Sequence, residues 1–323
     1  MKLRYLIIIL SIPFVACDSG GKTDMYKNDS SGNINSLQVV MDNKLWNGPV
    51  GEEIRSQFAA PTDGLPQEEP LFTINQIPPF TFTDFARAHR NFLYVALAES
   101  DTVAIRKNPY AKPQIGAFVK AVSEEDLKEA IYANSARIIA AFRNNELKEK
   151  QKRTRISLLR NDTLENMLGV AVQVPSAYRV ASANKNFVWL RKNLENGTAN
   201  IIMYQAPLHA IGNDSTIVAD IVKVRDSIGG GHLPVEGDGR FITEAAYAPY
   251  LFNAQIDGKF AYETKGTWEI KGAFMAGPFV NYAVRDEENG RWVILEGFTY
   301  APAEKKRNHQ FELESILRTA RFK

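Results

Sequence analysis

The sequence predicts an α+β protein made of two sheet-and-helix domains, the second an antiparallel sheet flanked by helices. The chain has 323 residues, which exceeds the usual size of a single core. In the first half, short strand patterns are interleaved with amphipathic helical patterns. In the second half, long strand patterns follow one another with one helix between them and one at the end. A hydrophobic content of 45% and a charged content of 24% are those of an ordinary globular protein.

The N-terminus predicts a signal peptide over residues 1–16. Lys2 and Arg4 precede an apolar run of about eleven residues, 5–15, which is too short to cross a hydrocarbon core of about 30 Å. A basic start, a short apolar run and a small residue, Ala16, are typical of a secretory signal.

The only cysteine of the chain, Cys17, directly follows this signal. Phe14-Val15-Ala16-Cys17 resembles the lipobox of bacterial lipoproteins, in which the cysteine receives a diacylglyceryl group and becomes the mature N-terminus. The resemblance implies lipidation at Cys17, while the alternative is an ordinary signal followed by an incidental buried cysteine. An acylated Cys17 leaves no thiol for a disulfide, a thiolate metal site or a cysteine nucleophile.

The mature chain is neutral. Removal of Lys2 and Arg4 with the signal leaves 37 basic and 37 acidic side chains. This balance gives no electrostatic case for nucleic acid, so membrane attachment would come from the lipid. Residues 17–36 are polar and rich in Gly, Ser and Asn. They predict a flexible tether with a span on the order of 25 Å.

The first domain is predicted over residues 37–161. Its helices follow Pro49 and Ser123, the latter with a capping-box-like start and a charged continuation, 146–155, interpreted as a solvated face. Five strand patterns accompany them, at 37–41, 71–77, 91–97, 103–107 and 115–122.

The second domain is predicted over residues 162–323. A short helix, 162–168, leads into four strand patterns, at 169–174, 178–182, 187–192 and 200–206. A helix with Ile217, Ile221, Val224 and Ile228 on one face then ends at the triple glycine 229–231. Three long strands, 259–270, 274–286 and 291–301, precede a last helix, 303–318. Asn289-Gly290 predicts a tight primed turn between the last two strands.

The last long strand carries a carboxylate among apolar residues. Alternation places Glu296 on the same face as Trp292, Ile294 and Phe298, and apolar residues on both faces predict a central, buried strand. A buried carboxylate needs a partner or a raised pKa, and Arg191 and Arg225 are the candidate partners. This polar cluster is either a structural ion pair or a polar anchor inside a ligand pocket.

Motifs for catalysis, metals and cofactors are absent. The sequence contains no H-E-x-x-H, C-x-x-C, P-loop, G-x-S-x-G or EF-hand pattern, so no catalytic residue, cofactor or metal is assigned. His232 lies near Glu236 and Asp238, but a metal or acid–base site would require all three side chains to converge. A mobile surface loop is the favoured interpretation.

Four segments carry a family resemblance: Asn186–Arg191, Glu263–Trp268, Gly277–Val280 and Leu295–Pro302, the last followed by Lys306–Asn308. With them the exported part resembles an uncharacterised family of envelope lipoproteins, domain of unknown function family 4837, which brings no known activity. The order of strands and helices in the second half is also similar to PsbP- and Mog1-like domains. Many of these are binding or accessory modules, although a fold does not fix a function.

The sequence therefore predicts a lipoprotein anchored to a bacterial membrane, in the periplasm or at the outer membrane. We expect a non-catalytic binding or accessory module, with an envelope protein as a possible partner. One alternative is a hydrolase-like enzyme with its site around Glu296, Arg191 and the loop 229–238. Another is a carrier that holds a small apolar ligand in the second domain. Converging polar groups in an open cleft would favour the enzyme, and a sealed apolar cavity would favour the carrier. An exposed apolar patch would favour the binding of a protein partner.

Overall fold

A computed structural model describes residues 27–160, 162–184, 186–235 and 237–323. The signal peptide, residues 17–26 of the predicted tether including Cys17, the predicted domain boundary at Asn161, and Glu236 lie outside these residues. The described chain is α+β, as predicted, with two large sheets and helices packed on them.

The first sheet has five strands in the order β2-β1-β3-β5-β4. The strands are β1 (Ser36–Val40), β2 (Thr73–Ile77), β3 (Asn91–Leu97), β4 (Thr102–Lys107) and β5 (Ile115–Ala121). All neighbours are parallel except β4 and β5, which are antiparallel. Every strand pattern predicted in this region is confirmed to within two residues.

The helices of the first region are α1 (Asn43–Trp46), α2 (Pro49–Phe58), α3 (Asp84–Arg87) and α4 (Glu124–Thr154). Three of them, α1, α2 and α4, cover one face of the first sheet. The Ser123 hydroxyl caps α4 by accepting the Asp126 N–H at 3.2 Å, as its sequence pattern predicts. Buried side chains of α2 and α4 pack on this face of the sheet, and the opposite face carries a smaller aromatic cluster around Phe92.

The second sheet has eight strands. Seven of them are hydrogen-bonded in the order β10-β12-β13-β14-β9-β8-β7, and the eighth, β11, pairs with β12. The strands are β7 (Arg179–Asn184), β8 (Phe187–Leu194), β9 (Gly197–Pro207), β10 (Arg240–Thr243), β11 (Tyr250–Ile256), β12 (Lys259–Lys271), β13 (Ala276–Asp286) and β14 (Arg291–Tyr300). A further pair, β6 (Val170–Ala171) and β15 (Arg321–Phe322), joins the start of this region to the end of the chain.

Strand β14 is central and buried on both faces, as its composition predicts. One face, with Trp292, Ile294 and Phe298, contributes to one core. The other face, with Val293 and Leu295, contributes to a second core that contains buried residues of the last helix. The helices of this region are α5 (Thr163–Leu168), α6 (Ile217–Val224), α7 (Gly230–His232) and α8 (Arg307–Leu317).

The prediction that the triple glycine ends the mid-domain helix is wrong. After α6 the chain continues through a π-helical turn, Arg225–Gly229, and then through α7. A Cβ atom at Gly230 would lie 2.3 Å from the Phe241 carbonyl oxygen, and one at Gly229 would lie 3.3 Å from the Tyr204 hydroxyl. The glycines therefore permit the helix to approach the sheet closely instead of terminating it.

The prediction of a two-residue primed turn at Asn289-Gly290 is also wrong in its type. The hairpin loop has four residues, because Asp286 pairs with Arg291 across the ladder. A 3-10 turn, Glu287–Asn289, is followed by Gly290 with a φ of +62°. The Asp286 carboxylate accepts hydrogen bonds from the side chains of Asn289 and Arg291, both at 2.8 Å, and these bonds stabilise the longer loop.

The predicted tether is too long at its C-terminal end. Ser31 donates its N–H to the Ala88 carbonyl at 2.8 Å and accepts the Arg90 N–H at 2.8 Å. Asn35 is buried, and its N–H donates to Glu146 Oε2 at 3.1 Å. These residues are therefore part of the folded body. The strand predicted over 169–174 is likewise shorter, because only Val170–Ala171 is extended and paired.

The charged end of α4 is not a solvated face. Glu146 is fully buried and forms an ion pair with Arg90 at 2.8 Å. One helical turn further, Lys150 contacts Glu312 of α8 at 2.6 Å, and Gln151 donates to the Ser315 carbonyl at 3.0 Å. The helix therefore joins the two sheet regions, which the interpretation of residues 146–155 as solvated did not anticipate.

Candidate ligand-binding site

The carboxylate predicted to be buried in the last long strand is buried and paired. Glu296 is 0% exposed and Arg225 is 1% exposed. Arg225 Nε donates to Glu296 Oε1 at 3.0 Å, and its Nη2 lies 2.9 Å from the same oxygen. The second oxygen, Oε2, accepts a hydrogen bond from Asn281 Nδ2 at 3.0 Å. Both carboxylate oxygens are thus occupied by side chains of the protein.

The Arg225 guanidinium is also enclosed by the protein. Its Nη1 donates to the Thr243 hydroxyl at 2.9 Å, and its Cζ lies 4.1 Å from the ring centre of Phe279 and 4.8 Å from that of Phe241. Cation–π contacts of a desolvated guanidinium add to the ion pair. This arrangement explains how a charge is held in the core, and it leaves neither Glu296 nor Arg225 open to solvent.

Arg191, the other predicted partner of Glu296, does not contact it. Arg191 lies on β8 and Glu296 on β14, and β9 lies between these two strands. Arg191 is opposite Asn200 in the ladder, whereas Glu296 is opposite Ile202. The Nε atom of Arg191 is buried and has no hydrogen-bond partner among the described residues. No carboxylate of these residues forms an ion pair with the Arg191 guanidinium.

Arg191 instead lines an open cleft of about 370 Å³ on the face of the sheet that carries the helices α6 and α7. This volume lies within the usual range for small-molecule sites, roughly 300–1,000 Å³. Five aromatic side chains line it: Trp189, Phe241, Trp268, Phe298 and Tyr300. The loop after α7, with Leu233, Pro234 and Val235, and the tip of the β12–β13 hairpin, with Met275, also contribute to its lining.

Strand alternation explains why these side chains meet. Residues directly opposite in an antiparallel ladder lie on one face. Arg191 is opposite Asn200, and Asn200 is opposite Phe298 on its other side. Two residues along the strands, Thr198 is opposite Tyr300. The cleft floor is therefore made from β8, β9 and β14, with Trp268 added from β12.

The other polar groups of the floor are already bonded to one another. Trp189 Nε1 donates to Asn200 Oδ1 at 3.1 Å, and Asn200 Nδ2 donates to Thr198 Oγ1 at 3.0 Å. These bonds fix the Trp189 ring and the Asn200 amide in place. Arg191 is consequently the lining side chain that combines a full charge with unused donors, and it is the group with which a ligand can pair.

A second polar cluster lies where the two sheet regions meet. Burial opposes ionisation of Glu314, but Lys265, Arg143 and Arg318 around it lower its pKa to about 2. Arg143 Nη2 lies 2.8 Å from Glu314 Oε2, and Arg318 also contacts Glu263 at 3.2 Å. The cavity beside this cluster has a volume of about 30 Å³, which is room for about one water molecule. We interpret the cluster as structural.

The remaining sequence candidates do not form a site among the described residues. His232 packs on Phe187 with ring centres 4.5 Å apart, Asp238 is exposed, and Glu236 is outside the described residues. No group of three His, Cys, Asp or Glu side chains in the described ranges could hold a metal ion. In the same ranges, no helix is both long enough and apolar enough to cross a bilayer.

Sequence reasoning placed Arg191 and the loop 229–238 at one candidate site, and Arg191 and residues 233–235 of this loop do line the cleft, but it missed the aromatic side chains of the cleft, although a signal for them was present. Trp189 and Arg191 on β8 and Phe298 and Tyr300 on β14 are two residues apart, so each pair shares a strand face. The sequence does not reveal that β9 lies between these strands, and without that order Arg191 and Arg225 were both candidate partners of Glu296.

The fold and the cleft define an α+β protein with an aromatic cleft on an antiparallel sheet, lined by Arg191, which has no ion-pair partner in the part of the chain that the structure describes. Residues 157–319 match the family described as domain of unknown function DUF4837, and this match spans slightly more than half of the chain. The chain belongs to that family. Residues 30–155 match a second family of unknown function, DUF8532. All of the residues named in the cleft lie within the first match. No curated protein matches the chain.

Proposed function

We propose that the protein is a lipid-anchored component of the bacterial cell envelope that binds a small ligand in the cleft without catalysis. The observation that carries this proposal is the combination of five aromatic side chains with Arg191, whose guanidinium has no carboxylate partner among the described residues. The ligand that fits is amphipathic, with an apolar or aromatic body and an anionic group.

The chemistry of the lining supports this ligand class. Aromatic rings bury large apolar areas and stack on planar groups. A guanidinium pairs with carboxylate or phosphate oxygens through two parallel hydrogen bonds, which fixes orientation as well as affinity. With Asn200 and Trp189 bonded to each other, Arg191 sets the end of the cleft at which the anionic group binds.

The lining favours binding over hydrolysis. The described residues of the cleft include no carboxylate and no imidazole, which are the usual general bases. Glu296, on which the hydrolase alternative depends, lies in the core with both oxygens bonded to the protein. A carrier of a wholly apolar ligand is the second candidate, but Arg191 would then face an apolar group and remain unpaired.

The anchor part of the proposal depends on the N-terminal sequence. Lys2 and Arg4, the short apolar run 5–15 and the small residue before Cys17 support export and lipidation. Lipidation would place the cleft at a membrane surface, either in the periplasm or at the outer membrane.

The cleft is tested by titration with 1-anilinonaphthalene-8-sulfonate, a probe with an aromatic body and an anionic group. We expect saturable binding that weakens about 10- to 100-fold in Arg191→Met, because a hydrogen-bonded charge pair is lost. Arg179→Met is the matched control, since Arg179 is opposite Arg191 on β7 and is exposed. Equal affinity of the Arg191→Met variant and the wild type would contradict the proposed site.

The anchor is tested by Cys17→Ser. We expect the variant to lose metabolic labelling with fatty acid and to leave the membrane fraction, because no other cysteine can be acylated. A variant that fractionates with membranes as the wild type does would show that the lipoprotein assignment is wrong.

A further inference from the structure

Two large aromatic side chains are exposed on one short segment of the first region. Residues 78–88, here called the aromatic loop, connect β2 to β3 through a 3-10 turn, Pro79–Thr81, and α3. Phe80 is 80% exposed and Phe85 is 81% exposed. Single exposed apolar residues are normal, but two on one loop indicate an interaction surface when the loop itself is held firmly.

The aromatic loop is held firmly by Phe82, which lies between Phe80 and Phe85 in the sequence. Phe82 is 5% exposed, and its ring packs at 4.9 Å from the Phe92 ring and at 5.7 Å from the Tyr110 ring. The loop backbone is also bonded to the sheet, since Gln38 Nε2 donates to the Ala86 carbonyl at 2.8 Å. With Phe82 directed into the protein, Phe80 and Phe85 are presented outward.

The surroundings of the loop are cationic. Arg87 in the loop stacks on Tyr110 at 5.2 Å, Arg106 stacks on Phe118 at 5.3 Å, and Lys107 and Lys112 are exposed nearby. The described residues provide no ion pair to any of these four. Asp84 is the carboxylate in the loop itself. Asp29 and Glu149 line a groove with Lys112, but four further cations, Lys27, Lys148, Lys152 and Arg155, line the same groove, so the surface has a positive excess. Exposed aromatic residues beside unpaired cations are suited to the headgroup region of an anionic bilayer.

The path of the chain places this surface next to the proposed anchor. Ser31 donates to the carbonyl of Ala88, the last residue of the aromatic loop, at 2.8 Å. The Lys112 N–H donates to the Asn28 carbonyl at 3.0 Å. Lys27 is ten residues from Cys17, and ten residues extend over at most about 36 Å. An acylated Cys17 therefore keeps this side of the body within reach of the bilayer.

We infer that the aromatic loop docks on the membrane, with Phe80 and Phe85 inserted at the boundary between headgroups and acyl chains and the cations on anionic headgroups. The inference rests on the lipid anchor in the proposed function. It adds that the folded body has a fixed orientation on the bilayer. The lipid holds the protein at the surface, and the loop selects which side faces it.

The test uses the mature lipidated protein reconstituted in vesicles of phosphatidylethanolamine and phosphatidylglycerol. Because Cys17 is the only cysteine and is acylated, an introduced cysteine provides the only free thiol. Phe80→Cys and Phe85→Cys are labelled with an environment-sensitive fluorophore, and quenching by lipids with brominated acyl chains is measured. Tyr132→Cys is the matched control, because Tyr132 is 68% exposed on α4, which covers the opposite face of the first sheet.

We expect quenching at positions 80 and 85 to exceed that at position 132 several-fold. Equal, weak quenching at all three positions of vesicle-bound protein would overturn the docking inference and leave the anchor intact. That result is also the one expected if an envelope protein, which is absent from these vesicles, covers the loop. Failure of the wild-type protein to float with the vesicles would instead overturn the anchor, and the docking inference with it.

Discussion

The buried pair of Arg225 and Glu296 shows at the scale of single residues how this core tolerates charge. Each group is removed from water, which is costly, and the cost is offset because each one finds its partner with good geometry. Glu296 accepts from Arg225 and Asn281, and the guanidinium is covered by the rings of Phe241 and Phe279. The pair therefore stabilises the folded state only while both partners are present.

Removal of one partner should destabilise the protein strongly. We expect Glu296→Gln and Arg225→Met each to lower the free energy of unfolding by about 3–5 kcal/mol, because the remaining group stays buried without a counter-charge. The double variant should cost less than the sum, and a denaturant-unfolding double-mutant cycle measures the difference. Arg191→Met is the control and should leave stability nearly unchanged. Small, additive effects of the two core substitutions would refute the ion-pair account.

Glu314 should make the free energy of unfolding depend on pH below about pH 5. Its pKa of about 2 in the folded protein lies below the ordinary 4.5, so ionised Glu314 stabilises the folded state above pH 4.5. We expect this contribution, on the order of 3 kcal/mol, to be lost as the pH falls from about 5 to about 2. Unfolding of Glu314→Gln should depend less on pH over this window. Exposed Glu52→Gln is the control, and identical pH profiles for Glu314→Gln and the wild type would contradict the assignment.

At the scale of elements, local patterns predicted twelve of the fifteen strands in the described residues, because alternation and breakers are local properties; β10, β11 and β15 were not predicted. The three long strands around β13 and the Ser123 start of α4 needed only their own residues. The order of strands in a sheet is a non-local property, so the pairing of Glu296 with Arg225 rather than Arg191 could not be derived. The charged end of α4 was misinterpreted for the same reason, since its partner α8 lies more than 150 residues further along the chain.

The β13–β14 hairpin provides a test of an element. Gly290 has a φ of +62°, in the left-handed region, and a Cβ atom there would meet nothing within 4 Å. We expect Gly290→Val to cost about 1–3 kcal/mol from backbone strain alone, because β-branched residues are poorly tolerated at positive φ. Gly290→Asn should cost less, since Asn adopts this conformation more readily. Equal unfolding free energies for the Val and Asn variants would contradict a left-handed Gly290.

At the scale of the whole molecule, the two sheet regions are joined by α4 and α8. The N-cap residue of α8, Lys306, forms no side-chain cap of its own. A carboxylate from the first region replaces it, because Glu69 accepts the N–H groups of Lys306 at 2.5 Å and Arg307 at 3.2 Å. The helix that closes the second sheet is thus capped by a residue more than 200 positions earlier.

Glu69→Ala should therefore destabilise both regions together. We expect a loss of about 1–2 kcal/mol, as for other helix caps, and one unfolding transition in which Trp46 of the first region and Trp292 of the second change together. Trp46→Phe leaves the three tryptophans of the second region, Trp189, Trp268 and Trp292, and the difference between its near-ultraviolet circular dichroism and that of the parent protein reports Trp46. Glu68→Ala is the matched control, because Glu68 is exposed. Two separate transitions, or no effect of Glu69→Ala, would contradict this coupling.

The cap from Glu69 to α8 also bears on how such a protein could arise and be inherited. A gene that encoded only residues 157–319 would specify α8 without the carboxylate that begins it and without α4 beside it. A gene that encoded only residues 30–155 would leave Arg143 and Lys150 of α4 without their partners Glu314 and Glu312 on α8. Fusion to other modules should consequently occur outside the pair and rarely between its members. In genomes, we expect the two families to be transmitted as one unit.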